Sequence, residues 1–331
     1  MAIINEIKNR AKQEKKTIVL PEAEDKRVIE AALRAEIEGI ANIVLVGDLE
    51  KTRVIANENN IDLTKVKFVD IEKSGKIGEY AEKLYELRKH KGMTIEEATE
   101  KIKDPVYFGM MMVKCNEADG LVSGAVHSTS DTLRPALQII RTKEGEKLVS
   151  SFFLMEVPDC NYGENGVFIF ADCGLNENPS SEELAEIAHS SAISFEKLVQ
   201  KEPVIGMLSY STKGSANSEM TLKMKNATNV VNEKYPHLKA DGEIQVDVAI
   251  DPDVARMKSK DCKFGGMCNV LIFPNLDAGN IGYKLVRNLA KAEAYGPVCQ
   301  GMAKPVNDLS RSCNVEDIIG VIAITAVQAQ N

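Results

Sequence analysis

The sequence has little of the residues from which metal sites and disulfide frameworks are built. Among 331 residues there are four histidines, seven cysteines and no tryptophan. The cysteines are an odd number, and no two form a C-x-x-C pair; they lie at positions 115, 160, 173, 262, 268, 299 and 313. Zinc sites typically need closely spaced cysteines or histidines, and disulfide frameworks typically have an even number of cysteines. We therefore expect no metal, no structural disulfides and a reducing, cytoplasmic environment.

Long apolar runs are also absent. No stretch reaches the roughly 18 apolar residues of a membrane-spanning helix, and the first residues become charged too soon for a signal peptide. The formal net charge is −8, which disfavours bulk attraction to nucleic acid or to an anionic membrane. We expect a cytoplasmic protein that binds neither.

Two nucleotide-binding signatures are missing. Lys213-Gly214-Ser215 looks like the end of a P-loop, but there the glycine precedes the lysine, whereas here it follows. No G-x-G-x-x-G motif follows a strand-like segment. Nucleotide hydrolysis and nicotinamide binding therefore have no local support. The hydroxyl-rich loop Ser209–Ser215 suits a phosphate-bearing ligand, and an ordinary polar loop explains it equally well.

What the sequence does contain is an alternation of short apolar runs and helical segments. Strands are predicted at 17–20, 43–47, 66–69, 120–124, 152–157, 166–171, 203–208, 244–250 and 270–273. Helices are predicted from residue 3, at 25–34, 49–58, 75–90 and 94–103, from 105, after 131, and at 180–200, 277–292 and 318–329. This alternation indicates parallel α/β sheets covered on both faces. A more β-rich pattern from about residue 150 marks the best candidate domain boundary.

Hydroxyl and imidazole groups cluster at 127–132, at a predicted helix start, and Arg134 follows one turn later. Helix N-termini with free N–H groups bind anions readily. Capping of the helix by one of these side chains is the alternative, but a cap needs only one of them. We therefore favour an anion site that includes Ser128, Thr129 and Arg134.

A second polar segment, 300–317, precedes the apolar closing helix. It carries Ser310 and Arg311, followed by two acids, Glu316 and Asp317, in the first helical turn. Acids in a first turn commonly complement the helix dipole. On chemistry alone, a reactive role and a structural role for this loop both stay open.

Four blocks stand out when they are taken together: Val19–Arg27 (VLPEAEDKR), Ser123–Pro135 (SGAVHSTSDTLRP), Ser209–Ser215 (SYSTKGS), and Pro305–Arg311 (PVNDLSR) with the VEDI run that follows it. In this order they resemble the phosphate acetyltransferase, or phosphotransacetylase, family. The likeness covers essentially the whole chain. One block would be weak evidence, whereas four in family order are specific.

The resemblance implies two parallel-sheet, three-layer α/β domains, isocitrate/isopropylmalate dehydrogenase-like, with an active-site cleft between them. The implied domains are discontinuous. Residues 1–148 plus 297–331 form the first, which carries the C-terminal catalytic loop, and residues 149–296 form the second.

The resemblance also implies a reaction, in which acetyl-CoA and phosphate give acetyl phosphate and coenzyme A, reversibly. The thiolate of coenzyme A would attack the acetyl phosphate carbonyl directly in a ternary complex. Asp317 would take the thiol proton, Arg311 would bind phosphate and polarise the carbonyl, and Ser310 would donate to the developing oxyanion. Ordinary pKa values of about 3.9 for Asp and about 8.5 for a thiol make this proton transfer roughly 6 kcal/mol uphill. The mechanism therefore needs a partly desolvated acid or a more acidic thiol.

Other expectations follow from the same resemblance. Three arginines match family positions associated with coenzyme A or phosphate: Arg27, Arg88 and Arg287. Coenzyme A would be a substrate, no cofactor would stay bound, and the protein would be a homodimer linked functionally to acetate kinase.

Three alternatives remain. A phosphate butyryltransferase would run the same chemistry with a larger acyl pocket, although the blocks fit the acetyl enzyme better. A non-catalytic regulatory protein on the same scaffold is disfavoured by the presence of Ser310, Arg311 and Asp317 together. A covalent acyl-cysteine at Cys160 or Cys313 is disfavoured because no histidine lies near either in the sequence.

Overall fold

The structure is a computed structural model that describes residues 2–259 and 261–330. Its strands are β1 Thr17–Leu20, β2 Asn42–Gly47, β3 Lys67–Asp70, β4 Gly120–Ser123, β5 Ser150–Glu156, β6 Val167–Ala171, β7 Val204–Leu208, β8 Lys239–Ile244, β9 Val270–Ile272, β10 Glu293–Gln300 and β11 Val306–Asp308. Its α-helices are α1 Ile3–Gln13, α2 Lys26–Ile37, α3 Leu49–Glu58, α4 Ile77–Arg88, α5 Ile95–Ile102, α6 Pro105–Lys114, α7 Thr129–Ile139, α8 Ser181–Val199, α9 Glu219–Lys234, α10 Val246–Ile250, α11 Pro252–Lys258, α12 Leu276–Leu289 and α13 Val315–Ala329. Short 3₁₀ turns lie at Leu63–Lys65 and Lys89–Lys91. None of the described helices is long and apolar enough to cross a membrane.

The chain divides into two compact units. The first comprises Ile3–Gly145 and Met302–Asn331, and the second comprises Glu146–Gly301. Residue 297, where the sequence placed the return to the first domain, lies inside β10. That strand pairs with β5 on both sides of residue 297, at 293–295 and at 298–300, and it lies in the second unit.

The first unit is built on a parallel sheet of five strands in the order β11-β4-β1-β2-β3. Helices α2 and α13 pack on one face, and α6 packs on the other with α4, α5 and α7 against it. Ile18, Val19 and Leu20 of β1 are all buried, as expected of a central strand covered on both faces. Most of α13 is buried as well, which explains its almost unbroken apolar sequence.

The second unit has a six-stranded sheet in the order β10-β5-β6-β9-β7-β8. The predicted parallel arrangement holds for most of this sheet, and the exception among the described strands is β5, which runs antiparallel to both β6 and β10. The strand pairs β6–β9, β9–β7 and β7–β8 are parallel. Helices α8 and α9 cover one face, while α10 and α12 lie on the other. The ring of Phe153 stacks on Tyr283 of α12 with centroids 3.9 Å apart.

Three local predictions are corrected by the structure. The apolar run Ile244–Ile250 is not a strand, because Ile244 ends β8 and the rest forms α10. Its alternation is too short to distinguish a strand from a helical turn. The cap of α12 is Asn275 rather than Asp277, and α7 begins at Thr129 instead of after Asp131. Helix α9 and strands β10 and β11 were not predicted.

Helix α6 approaches the first sheet through a glycine. A Cβ on Gly109 would lie 2.8 Å from Leu121 Cδ1 and 2.9 Å from Val19 Cγ1, so Gly109→Ala should overpack this contact. We expect Gly109→Ala to lower the free energy of unfolding by about 1–3 kcal/mol in urea denaturation. Gly78 of α4 is the matched control, since nothing lies within 4 Å of its Cβ position. Gly78→Ala should be neutral or stabilising by up to about 1 kcal/mol through helix propensity. Equal effects of the two substitutions would contradict the close packing of α6.

Candidate active site

The functional groups of the first unit collect at one edge of its sheet. Strands β11, β4 and β1 are neighbours and run in parallel, so their carboxyl ends lie side by side. The segments that leave these ends are 21–27, 124–128 and 309–314, and each belongs to a sequence block singled out above. Open α/β sheets bind ligands outside the carboxyl ends of their strands. This edge is therefore the candidate active site.

Glu22, two residues after β1, organises the segment after β4. Its carboxylate is buried and accepts four backbone N–H groups in succession. Oε2 accepts from Gly124 (3.0 Å) and Ala125 (2.8 Å), and Oε1 accepts from Val126 (2.8 Å) and His127 (2.9 Å). His127 Nδ1 also lies 2.8 Å from Oε1. Burial opposes ionisation, but these bonds hold the pKa of Glu22 below its ordinary value, and the same contact raises the pKa of His127.

Arg27 joins the three segments. Its Nη1 donates to the carbonyl oxygens of Arg311 (2.9 Å) and Cys313 (2.8 Å), and its Nη2 donates to that of Ala125 (2.9 Å). Its Nε and Nη2 also donate to the carboxylate of Asp25, at 3.1 and 2.9 Å. All five N–H donors of the guanidinium thus have protein partners. A direct contact with coenzyme A would require Arg27 to give up one of them.

The hydroxyl groups predicted to bind phosphate both have partners in the chain. Ser128 is the N-cap of α7: its Oγ accepts from the Asp131 N–H and donates to Asp131 Oδ2 at 2.6 Å. Thr129 Oγ1 donates to Oδ2 of Asp308 at 2.7 Å. The capping alternative thus describes Ser128 in this structure, and an incoming phosphate would compete with a carboxylate for each hydroxyl.

Asp308, the last residue of β11, is a buried acid that sequence reasoning did not single out. Its Oδ1 is buried without a hydrogen-bond partner in the described chain. Burial raises its pKa to about 6, against the opposing hydrogen bonds from Thr129 and from the Leu309 N–H. Glu22 and Asp308 thus both contact the 124–129 segment, and their pKa values are shifted in opposite directions.

The predicted catalytic residues Ser310, Arg311 and Asp317 all lie on or next to the segment after β11. Ser310 Oγ is 2.9 Å from Ser312 Oγ, and the Arg311 side chain is exposed. Asp317 is buried in the first turn of α13. It forms a capping box with Asn314, in which Asp317 Oδ2 accepts the Asn314 N–H at 3.0 Å. The helix-start role foreseen as the alternative for Asp317 is therefore present in the structure.

The remaining predicted ligands are more dispersed. Arg134 is an exposed residue of α7 in the first unit. Arg88 ends α4 in the same unit, and its Nε is buried without a hydrogen-bond partner in the described chain, so a ligand oxygen could satisfy it. Arg287 belongs to the second unit, near the end of α12. Within the described residues, no cluster of three or more metal-ligating side chains is found.

Comparison with known proteins now adds to this geometry. A sequence model of the phosphate acetyl/butaryl transferase family matches residues 2–326. The phosphate acetyltransferase of Acetivibrio thermocellus is 59% identical over 330 residues, which span 100% of this chain and 99% of that protein. The chain belongs to the phosphate acetyl/butaryl transferase family. Its members are acyltransferases, and the resemblance of the four sequence blocks is confirmed.

Solved structures agree at the level of the whole chain. A phosphotransacetylase from Streptococcus pyogenes matches with a TM-score of 0.91 at 39% identity, covering 99% of this chain and 98% of that one. A branched-chain phosphotransacylase from Enterococcus faecalis shares the fold at 18% identity, with a TM-score of 0.69 and coverage of 95% and 99%. The family fold of mostly parallel sheets in three-layer, dehydrogenase-like arrangements is thus confirmed.

Cys313 lies within the candidate site, yet it is poorly suited to nucleophilic attack. Its thiol is buried, with Sγ 3.9 Å from Arg27 Nη1. Burial raises its pKa to about 11, although the positive charge of Arg27 opposes that shift. The thiolate is the reactive species, so little of it would exist near neutral pH. This environment favours direct transfer over an acyl-cysteine at this position.

The buried acid of the site predicts a pH dependence of stability. A raised pKa means that the folded state binds the Asp308 proton more tightly than the unfolded state does. The stabilising effect of that proton is therefore complete below about pH 4 and is lost as the pH rises through about 6. In urea denaturation, the wild type should lose stability relative to Asp308→Asn across that window.

Asp131 provides the control of opposite sign. Its hydrogen bond from Ser128 lowers its pKa, so its contribution is present above about pH 4 and is lost below. If the stability difference between wild type and variant changed with pH in the same direction for Asp308→Asn and for Asp131→Asn, the raised pKa of Asp308 would be contradicted.

Proposed function

We propose that this chain transfers an acetyl group between coenzyme A and phosphate, and that the carboxyl edge of the first sheet is its active site. One observation carries the proposal. Arg27 and Glu22 fasten two separate family segments, 124–127 and 311–313, to the end of β1. These hydrogen bonds hold the backbone of the segment after β11, which carries Ser310 and Arg311. The curated relatives named as phosphate acetyltransferases support the choice of acetyl.

The residues assigned to the chemistry act in succession. The Asp317 carboxylate takes the proton from the coenzyme A thiol, and the thiolate sulfur forms a bond to the carbonyl carbon of acetyl phosphate. The carbon–oxygen bond to phosphate then breaks, and phosphate leaves with the electron pair. Arg311 neutralises the phosphate and polarises the carbonyl, while Ser310 donates a hydrogen bond to the oxyanion. Ser310 is free to donate when Ser312 is the donor in the hydrogen bond between the two hydroxyls.

Substrate binding is proposed to involve further polar side chains. Arg134, with the hydroxyls of Ser128 and Thr129, would bind the phosphate of acetyl phosphate. Arg88 and Arg287 would bind coenzyme A, which is a substrate rather than a resident cofactor. The same role for Arg27 stays a prediction, although its five protein contacts favour a supporting role. The discontinuous division into 1–148 with 297–331, and 149–296, stays a proposal in outline, and the compact units support it with the return to the first domain at Met302 instead of 297.

We also propose that the protein is a cytoplasmic homodimer that supplies acetyl phosphate to, or receives it from, acetate kinase. An exposed apolar stripe on α12 supports self-association, because Ile281, Leu285 and Leu289 recur every fourth residue at 57%, 52% and 79% exposure. Light scattering should give about twice the 36.3 kDa chain mass. A monomer at micromolar concentration would contradict the dimer.

The activity is tested by measuring thiol release from acetyl-, propionyl- and butyryl-CoA with phosphate. We expect acetyl-CoA to have the highest kcat/KM, without added metal. A preference for butyryl-CoA would indicate the butyryltransferase alternative. Absence of turnover with all three would favour the regulatory alternative and overturn the proposed function.

Asp317→Asn should reduce kcat by about 10²–10⁴-fold while changing the KM for coenzyme A little, as expected for loss of a general base. Asn keeps the shape and can still accept the Asn314 N–H, so the capping box is largely preserved. The substitution thus separates the proton-accepting role from the helix-start role.

Glu316→Gln is the matched control at the same helix start. Glu316 is exposed and pairs with Arg34 at 2.5 Å and with Lys8 at 3.5 Å, so its loss should cost about 1 kcal/mol or less. Its kcat should stay close to the wild-type value. Equal and mild effects of the two substitutions would remove Asp317 from the chemical step.

A further inference from the structure

Four consecutive backbone N–H groups, from Gly124 to His127, point at a single anion. Such a run of amides forms a concavity that commonly binds phosphate or another anionic ligand. Here the anion belongs to the chain itself: the Glu22 carboxylate fills the concavity, with N···O distances of 2.8–3.0 Å. Glu22 is 5% exposed, so water does not replace these bonds easily. A substrate phosphate therefore does not use the four amides.

The loop held by Glu22 leads directly to the proposed phosphate ligands. Ser128 and Thr129 follow His127 without a break, and they begin α7. The opposite side of the loop is also fixed, because Ala125 O accepts from Arg27, which in turn holds Arg311 O. One carboxylate thus determines where the α7 start lies relative to the segment that carries Arg311.

We propose that Glu22 is a positioning residue of this active site, acting through the 124–127 amides on the phosphate ligands of α7 and of the 310–311 segment. The proposal rests on the acetyl transfer proposed above. Glu22 does not touch the reacting atoms. Its loss should move the phosphate-binding groups by a fraction of an ångström to an ångström, a displacement that costs up to about 100-fold in rate.

The first test is Glu22→Gln. The amide keeps the size of the side chain, but one of its ends donates instead of accepting, so two of the four backbone N–H groups lose their acceptor. We expect hydrogen exchange at 124–127 to become faster and the KM for inorganic phosphate to rise about 10-fold or more, with a smaller change in the KM for acetyl-CoA. Glu22→Ala should behave similarly, and added formate should partly restore both the exchange protection and the KM.

Asp119→Asn is the control for a general loss of stability. Asp119 precedes β4 at the amino edge of the same sheet, where its Oδ2 accepts the Thr17 N–H at 2.8 Å. It makes the same kind of bond in the same unit, away from the candidate site. In Asp119→Asn, kcat and the KM values for phosphate and acetyl-CoA should stay close to those of the wild type. The urea midpoints of all variants are measured alongside.

Three results would each overturn the proposal. One is unchanged exchange at 124–127 and an unchanged phosphate KM in Glu22→Gln. The second is an equal loss of activity in Glu22→Gln and Asp119→Asn, and the third is no response of Glu22→Ala to formate. An inactive wild type would instead refute the proposed function, and the exchange measurement would still decide whether Glu22 holds the loop.

Discussion

Buried carboxylates near strand ends must find hydrogen-bond donors, and this constraint shapes the loops of both units. A carboxylate without donors in such a place would be strongly destabilising, so a neighbouring loop supplies backbone N–H or hydroxyl donors to it. Glu22 does this after β1, with four amides from the segment after β4. Asp172, directly after β6, accepts from the N–H groups of Gly174, Leu175 and Asn176 and from the Ser151 hydroxyl. In β8, Glu243 accepts from Ser211 Oγ and from the Gly214 N–H.

The same device explains why the family segments are rich in small and polar residues. Gly124 has a φ of +110°, and a Cβ there would lie 2.2 Å from Asp308 Oδ1, so only glycine allows the turn toward Glu22. In the second unit, the hydroxyl of Ser211 and the backbone of Gly214 serve Glu243. The loop Ser209–Ser215, whose sequence suits a phosphate-bearing ligand, donates in the structure to the carboxylate of Glu243.

The electrostatics of the candidate site follow from where its acids find donors. Glu22 has enough N–H partners to stay ionised despite burial, whereas Asp308 has fewer and its pKa rises to about 6. Two acids in one site thus acquire different protonation behaviour, a pattern typical of functional sites. All five N–H donors of Arg27 are bonded within the chain, whereas the exposed Arg134 and Arg311 can meet anionic substrates in a chain of net charge −8.

Local sequence signals predicted much of the fold. The apolar run of β1 and the capping box of Thr94 and Glu97 are both confirmed. The prediction of a strand at Ile244–Ile250 was wrong because seven residues contain too little periodicity to distinguish a strand from a helical turn. Glu22 was missed as a functional residue because its partners are 102 to 105 positions away. Nothing in the sequence next to Glu22 reports where those amides lie.

A crystal structure with phosphate and coenzyme A bound would test the account most directly. The proposed role of Arg311 predicts that a phosphate oxygen lies about 2.7–2.9 Å from its guanidinium, the range of charge-assisted hydrogen bonds. The Gly124–His127 amides should remain on the Glu22 carboxylate in that complex. A phosphate seated on those amides in place of Glu22, or more than about 6 Å from Arg311, would contradict it.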